Sequence, residues 1–264
     1  MAEGDTVLRA GRRIEEAIGG EKVSVTAPNP RGRAAGVERL DGRRLKKVET
    51  RGKNLLLRFD DLVLHSHLGM NGAWHVYRRG AAWRKSAHAA WVVLRGSEQE
   101  AVQFGGSTLR VLSAAEVRRD PWLSRLGPDI LAPDFDLDAA VRSLRSASDC
   151  GLGDALLDQG LIVGIGNVFK SEACFAARVD PWRRIEELGD EELERALLAA
   201  RQSMQRAVAQ GRQPRAVYRR AGQPCPICGT PISSRGQGDT NRITYWCPKC
   251  QAGSASGLDS EVSR

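Results

Sequence analysis

No stretch of about 18 consecutive apolar residues, the minimum for a membrane-crossing helix, occurs in this chain. Nor does it open on an apolar export segment or a basic targeting segment, since Met1 is followed by Ala2, Glu3, Gly4 and Asp5. These absences exclude a membrane-spanning role and point to a soluble, cytoplasmic protein whose N-terminus is available for chemistry. No internal repeat is present, which sets repeat architectures aside. Cysteines spaced along the whole chain, as in a disulfide scaffold, are also missing. Of the six, Cys150 and Cys174 stand alone, while Cys225, Cys228, Cys247 and Cys250 cluster near the end, a pattern that argues for metal and against disulfides.

What is present is basic. Across 264 residues, 40 Lys and Arg face 32 Asp and Glu, a net charge of +8 that attracts polyanions, nucleic acid first among them. The length suits two modest domains, each with its own core.

Over 6–18 the apolar residues Val7, Ala10, Ile14, Ala17 and Ile18 recur at helical spacing, with Asp5 or Thr6 placed to cap the start. Short β-leaning segments follow at 22–27, 54–59, 62–67, 73–77, 90–95 and 109–112, separated by glycine and charged turns, as in an antiparallel β-sandwich or flattened barrel. Asp120, Pro121 and the stretch 127–133 break this regime. Helical patterns then appear at 137–144, 155–157, 168–176 and 186–208. The expected divisions are a sandwich at 1–130, a helical domain at 131–215, a finger at 216–251 and a disordered tail at 252–264.

Cys225-x2-Cys228 and Cys247-x2-Cys250, eighteen residues apart, have the spacing of a four-thiolate tetrahedral zinc site. Protein fills all four positions, so one structural Zn2+ is expected and no position is open for a substrate water. The run 156–172 joins two helical segments through an apolar turn carrying Gly160, Gly164 and Gly166, and a helix begins at Asn167. Backbone N–H groups at a helix start suit phosphate. An ordinary tightly packed helix hairpin would have the same glycines.

Taken with its neighbours, this run resembles the helix–two-turn–helix of the formamidopyrimidine-DNA glycosylase/endonuclease VIII family. Val217-Tyr218-Arg219-Arg220-x4-Cys225-Pro226-x-Cys228-Gly229-Thr230 and Arg242-x-Thr244-Tyr245-Trp246-Cys247-Pro248-x-Cys250-Gln251 resemble that family's zinc finger. Glu3-Gly4, Gly52-Lys53, His67-Leu68-Gly69-Met70-x-Gly72 and Leu126-Gly127-Pro128-Asp129 match in order, so the likeness spans residue 2 to about 251. It implies an α+β protein: an N-terminal β-sandwich with a leading helix, then a helical helix–two-turn–helix domain with a four-Cys zinc-finger hairpin. The implied activity is that of a DNA repair glycosylase and abasic-site lyase. Its substrate is damaged double-stranded DNA, with single-stranded or forked DNA also open, and it acts as a monomer.

Residue by residue, the resemblance makes the amine of Ala2, after removal of Met1, the nucleophile that forms a Schiff base with the sugar, and Glu3 the general acid that opens the ring. A terminal amine suits the task, because its ordinary pKa of about 7.7–8.0, against about 10.4 for lysine, leaves more of it neutral near pH 7. Lys53 matches the lysine that contacts the phosphate beside the lesion and assists β-elimination; standing alone it would read as a solvated lysine at a strand start. Arg242 matches the finger arginine that grips phosphate and supports δ-elimination. Asn167 and Arg125 match further DNA contacts. His67 reads equally as a phosphate contact or as a satisfied strand histidine. Met70 resembles the side chain wedged into the duplex behind the extruded nucleotide, although a lone methionine after a strand is more often core.

Three departures bear on the reading. The family usually has proline where this chain has Ala2. The formamidopyrimidine branch carries an Arg-x-Phe loop that 103–108 lacks, and 211–218 is short for that branch's cap over an oxidised purine. Endonuclease VIII-like enzymes, acting mainly on oxidised pyrimidines, fit better. The competing expectations are a damage-binding protein that has lost its nucleophile and a zinc-ribbon transcription accessory factor. The latter leaves Glu3-Gly4 and the two-turn run without explanation.

Overall fold

The computed structural model describes residues 2–239 and 241–252. The chain divides into two compact units, Met1–Pro133 and Asp134–Arg264. Apart from Ala252, the tail expected at 252–264 lies outside the described residues.

The first unit opens with α1 (Gly4–Ile18), which lays Val7, Ile14 and Ile18 into the core. Asp5 and Thr6 do not cap it. The helix starts earlier, with Glu3 as N-cap and its carbonyl accepting from Thr6 N (3.0 Å) and Val7 N (3.1 Å), so Asp5 lies in the first turn. Gly11 brings α1 close to the sheet: a Cβ there would stand 3.1 Å from both Leu55 Cδ1 and Thr50 Cγ2.

After β1 (Ser24–Thr26) and the short α2 (Pro30–Ala34) come β2 (Lys47–Arg51), β3 (Asn54–Arg58), β4 (Leu62–His67), β5 (Ala73–Arg78), β6 (Ala90–Arg95), β7 (Gln99–Phe104) and β8 (Thr108–Ser113). They form two antiparallel four-stranded sheets, β1-β6-β7-β5 and β2-β3-β4-β8. An apolar core that includes Leu55, Leu57, Leu64, Val92 and Leu94 joins them with α1, so the expected sandwich is present. Two strands escaped the sequence reading. β2, read KVETR, is a polar edge strand; β7 carries Glu100 and Gln103 into the interior, where Glu100 is satisfied by Arg95 Nε at 3.0 Å and Trp83 Nε1 at 2.6 Å. The short helices α3 (Ala114–Arg119) and α4 (Pro121–Ser124) close the unit.

The second unit contains α5 (Leu137–Arg145), α6 (Leu152–Ala155), α7 (Asn167–Ala177) and α8 (Asp190–Gln210), then the hairpin β9 (Ser233–Gln237) and β10 (Arg242–Trp246). The helix expected at 155–157 lies three residues earlier, because the Asp158 and Gln159 side chains take over backbone groups there and open a turn. The long helix begins at Asp190, not at 186: Gly189 interrupts the run, and the Glu192 carboxylate accepts its N–H at 3.0 Å. α7 is the central helix, buried along nearly its whole length.

Candidate functional site

In the first unit the candidate groups gather at one end of the β2–β3–β4 ladder. Arg51 pairs with Asn54 across a two-residue turn of Gly52 and Lys53, and Asn54 in turn pairs with His67. Gly52 has φ +58, which a two-residue hairpin requires at its first position and a β-carbon disfavours. The turn is braced from the linker: the Asp129 carboxylate accepts Gly52 N at 2.7 Å, and Arg51 Nη2 donates to the Leu126 carbonyl at 2.8 Å. The Leu126-Gly127-Pro128-Asp129 motif therefore has a structural task that its sequence did not reveal.

His67 lies near enough to Lys53 to feel its charge. Burial first, and that charge second, lower the pKa of the imidazole. Its Nδ1 is 2.7 Å from Ser107 Oγ and 3.3 Å from Gly69 N, so with Nδ1 accepting, Nε2 carries the ring proton. His67 is thus a satisfied strand histidine that still offers one N–H. The following loop settles the reading of Met70 as core or exposed: Met70 is 69 % exposed, on a turn closed by Gly72 N to Leu68 O at 2.9 Å. A β-carbon at Gly72 would overlap that same Leu68 oxygen. Arg125 is exposed at the end of α4.

Ala2 is half-buried against the sandwich core, and Glu3, beside it, is fully buried. Beneath the Lys53 turn lies a polar group that sequence reasoning missed. His65, Asn54, Arg110 and Asp120 are joined by hydrogen bonds and an ion pair, with His65 and Asn54 buried and the exposed Trp122 stacked on His65.

In the second unit the two-turn run 156–166 is organised by Gln159, whose amide donates to the Leu157 and Ile165 carbonyls and accepts from Gly164 N. Of its three glycines only Gly164 has positive φ, at +104. Gly166 then starts α7 without a side-chain cap, and Asn167 is the first helical residue. Asn167 Nδ2 donates to the Ile243 carbonyl at 2.8 Å, while its buried Oδ1 has no partner among the described residues. One turn on, the fully buried Lys170 donates to Thr244 Oγ1 at 2.5 Å, and Ser171 Oγ accepts from Tyr245 N at 3.4 Å. β10 is therefore docked on α7 residue by residue, and Arg242, exposed, is the first residue of that strand. Glu172 accepts the backbone N–H groups of Ala216, Val217 and Tyr218 at 2.8–2.9 Å, fixing the segment that leads into the finger.

The four clustered sulfurs all lie within 4.8 Å of one another. Cys225 Sγ is 3.8 Å from Cys250 Sγ, and Cys228 Sγ is 3.5 Å from Cys247 Sγ. A tetrahedral zinc with Zn–S bonds of about 2.3 Å sets its sulfurs about 3.8 Å apart, so the site fits that ion and the separations exclude disulfides. Backbone N–H groups of Ile227 and Cys250 point at Cys225 and Cys247 sulfurs at 3.4 Å, as the knuckles of such a site do.

Three family descriptions cover this arrangement. The formamidopyrimidine-DNA glycosylase N-terminal domain matches residues 1–107, the formamidopyrimidine-DNA glycosylase H2TH domain matches 126–217, and the zinc finger found in FPG and IleRS matches 222–253. The chain belongs to the formamidopyrimidine-DNA glycosylase/endonuclease VIII family. It is 40 % identical to the probable endonuclease 8 2 of Streptomyces coelicolor over 97 % of this chain and 95 % of that protein. With the DNA-(apurinic or apyrimidinic site) lyase Nei2 of Mycolicibacterium smegmatis it shares 34 % identity over 96 % of this chain and all of that one. Its fold matches that of Lactococcus lactis Fpg in a complex with abasic-site DNA, with a TM-score of 0.81 at 24 % identity over 95 % of this chain and 99 % of that one. Family members thus share both the sandwich and the finger that the geometry had delineated. No helix among the described residues is long and apolar enough to cross a membrane.

Proposed function

We propose that this chain is a bifunctional DNA glycosylase and abasic-site lyase that removes oxidised bases, pyrimidines in preference, using the amine of Ala2. The observation that carries the reading is the adjacency of half-buried Ala2, whose nitrogen becomes a terminal amine once Met1 is removed, and the fully buried carboxyl group of Glu3. The amine adds to the sugar C1′ as the base departs with the bonding pair, and Glu3 delivers a proton to the ring oxygen. The adduct nitrogen gives one proton to the departing base, and as Glu3 protonates the ring oxygen the C1′–O4′ bond breaks and the nitrogen lone pair forms the C=N bond, so the opened sugar is a protonated imine on Ala2. With that imine protonated, C2′ gives up a proton to water, its electron pair forms the C1′–C2′ double bond of an enamine, and the enamine expels the 3′ phosphate by β-elimination. Lys53 neutralises the phosphate beside the lesion, and Arg242 assists loss of the second phosphate by δ-elimination. Asn167, Arg125 and the Nε2–H of His67 hold the backbone, and Met70 fills the gap left by the extruded nucleotide. Zinc on Cys225, Cys228, Cys247 and Cys250 holds the finger in shape.

The lesion class is supported by two short connections. Only residues 105–107 separate β7 from β8, leaving no room for an Arg-x-Phe loop, and residues 211–217 between α8 and Tyr218 leave little for a cap. The substrate we assign is damaged duplex DNA bound by a monomer in the bacterial cytosol and nucleoid, with single-stranded and forked DNA as secondary substrates. A second reading, a damage-binding member with weakened or no catalysis, rests on Ala2 standing where the family usually has proline. Borohydride reduction with abasic duplex DNA decides between them. A covalent adduct is expected from the free terminus and none from the acetylated protein; an equal adduct from both would remove Ala2 as the nucleophile. Excision of 8-oxoguanine opposite cytosine faster than of oxidised pyrimidines would overturn the lesion class.

A further inference from the structure

The Lys53 turn stands on a chain of hydrogen bonds, buried at its centre and part-buried at its ends, whose direction is fixed by chemistry. A guanidinium can only donate, so Arg110 Nη2, 2.9 Å from His65 Nδ1, makes that nitrogen an acceptor. The proton of the neutral ring then sits on Nε2, which donates to Asn54 Oδ1 at 2.9 Å. Asn54 Nδ2 in turn donates to the Arg51 carbonyl at 3.1 Å, at the mouth of the Gly52-Lys53 turn. At the far end the Asp120 carboxylate takes Arg110 Nη1 at 2.8 Å and also accepts from Trp122 N and Leu123 N, which anchors the chain on α4. His65 and Asn54 are each 1 % exposed. Burial, and then the charge of Arg110, hold the His65 pKa down to about 4, so the ring stays neutral and the chain keeps one polarity.

An apolar residue would fill the His65 position on β4 without the desolvation cost of an imidazole. We propose that His65 is a positioning residue for Lys53: acting through Asn54, it fixes the Arg51 carbonyl and with it the backbone of the turn, so that the Lys53 ammonium meets the DNA phosphate in one place. Asp129 braces the same turn at Gly52 N, and the two braces together leave the turn one geometry. The inference rests on the reading of Lys53 given above.

The test is single-turnover nicking of preformed abasic duplex by His65→Leu, His65→Gln, Lys53→Ala and the double variant His65→Leu/Lys53→Ala. His65→Leu is expected to lower the single-turnover rate at saturating enzyme about tenfold, with the half-saturating enzyme concentration and affinity for undamaged duplex unchanged. His65→Gln restores most of the rate, because its amide can accept from Arg110 and donate to Asn54. The double variant is no slower than Lys53→Ala alone. His65→Asn, polar but too short to span both partners, takes the place of the leucine variant should that one fail to fold. Parental activity in His65→Leu, or a loss that multiplies with that of Lys53→Ala, overturns the proposal. If instead Lys53→Ala itself nicks at the parental rate, the reading of Lys53 falls first and separately.

Discussion

Lys53 and Arg242 both stand at the end of a two-stranded antiparallel ladder, yet what holds each in place differs in kind. The Lys53 turn belongs to a sheet with a large apolar core beneath it, and its fine position is set by directed hydrogen bonds from Asp129 and from the His65 chain. Among the described residues the β9–β10 hairpin packs beside a small cluster, Phe175, Val217, Cys225, Ile232 and Cys247, and two of those five are thiols. Its position comes from four convergent sulfurs and from three successive contacts of β10 with α7. A large sheet can hold a cation with packing and polar bonds alone. A short hairpin cannot bury enough surface and turns to metal.

Removing the metal is the most severe way to break that contrast. Cys247→Ser is expected to release zinc and abolish DNA binding, because the finger cannot fold around three ligands, while the sandwich keeps its native circular dichroism and its own thermal transition. Zinc content by metal analysis, together with a binding assay, checks both halves. A full equivalent of zinc with parental binding would remove the structural role.

A milder break separates grip from chemistry. Arg242→Ala and Asn167→Ala are expected to weaken damaged and undamaged duplex alike, since each removes a sequence-independent phosphate contact; Arg242→Ala also reduces the slope of log K against log salt by about one, whereas the uncharged Asn167 leaves that slope nearly unchanged. Lys53→Ala should cost more in nicking rate than in affinity. Binding isotherms at several salt concentrations decide the matter; an effect of Arg242→Ala or Asn167→Ala confined to lesion choice would contradict the assignment.

The same contrast explains what could be read in the sequence. The four cysteines were legible because metal knuckles are local, with both ligands of each pair inside a four-residue window. β4 and β6 were legible because their residues alternate or run apolar between turns. The His65 chain was not: His65 and Asn54 are 11 positions apart, and Arg110 is 45 from His65, so only strand register brings them together. Lys170 was hidden for a similar reason, since nothing in a lysine's neighbours along the chain announces a partner 74 residues away. β2 and β7 were missed because polar residues in a strand read as loop until their cross-strand partners are known. Ala2, Glu3 and Lys53 drew attention through family likeness, as a small residue, an acid and a lysine carry no signal of their own.

The smallest expected effect is at the terminus, where the chemistry of the first unit can be altered without touching the grip of the second. Ala2 is half-buried against the core, so its backbone is already partly ordered, but a primary amine still rotates about its bond to Cα. A proline in its place would fix the direction of the lone pair. Its adduct with the sugar is an iminium that is cationic at every pH, whereas the imine of alanine must first gain a proton to draw electrons from C2′. Freezing one backbone rotation is worth about 1 kcal/mol, roughly fivefold in rate. Ala2→Pro is therefore expected to raise base excision about fivefold at neutral pH, and to raise strand nicking by more than that as the pH rises and the alanine imine loses its proton. Affinity for undamaged duplex and its salt dependence should stay as they were, because Arg242 and Asn167 are unchanged. Single-turnover excision and nicking, each measured from pH 6 to 9, read the two effects separately. A proline variant no faster than the parent at any pH would mean that neither the orientation nor the protonation of the amine adduct limits this enzyme, and that the replacement of proline by alanine carries no catalytic cost.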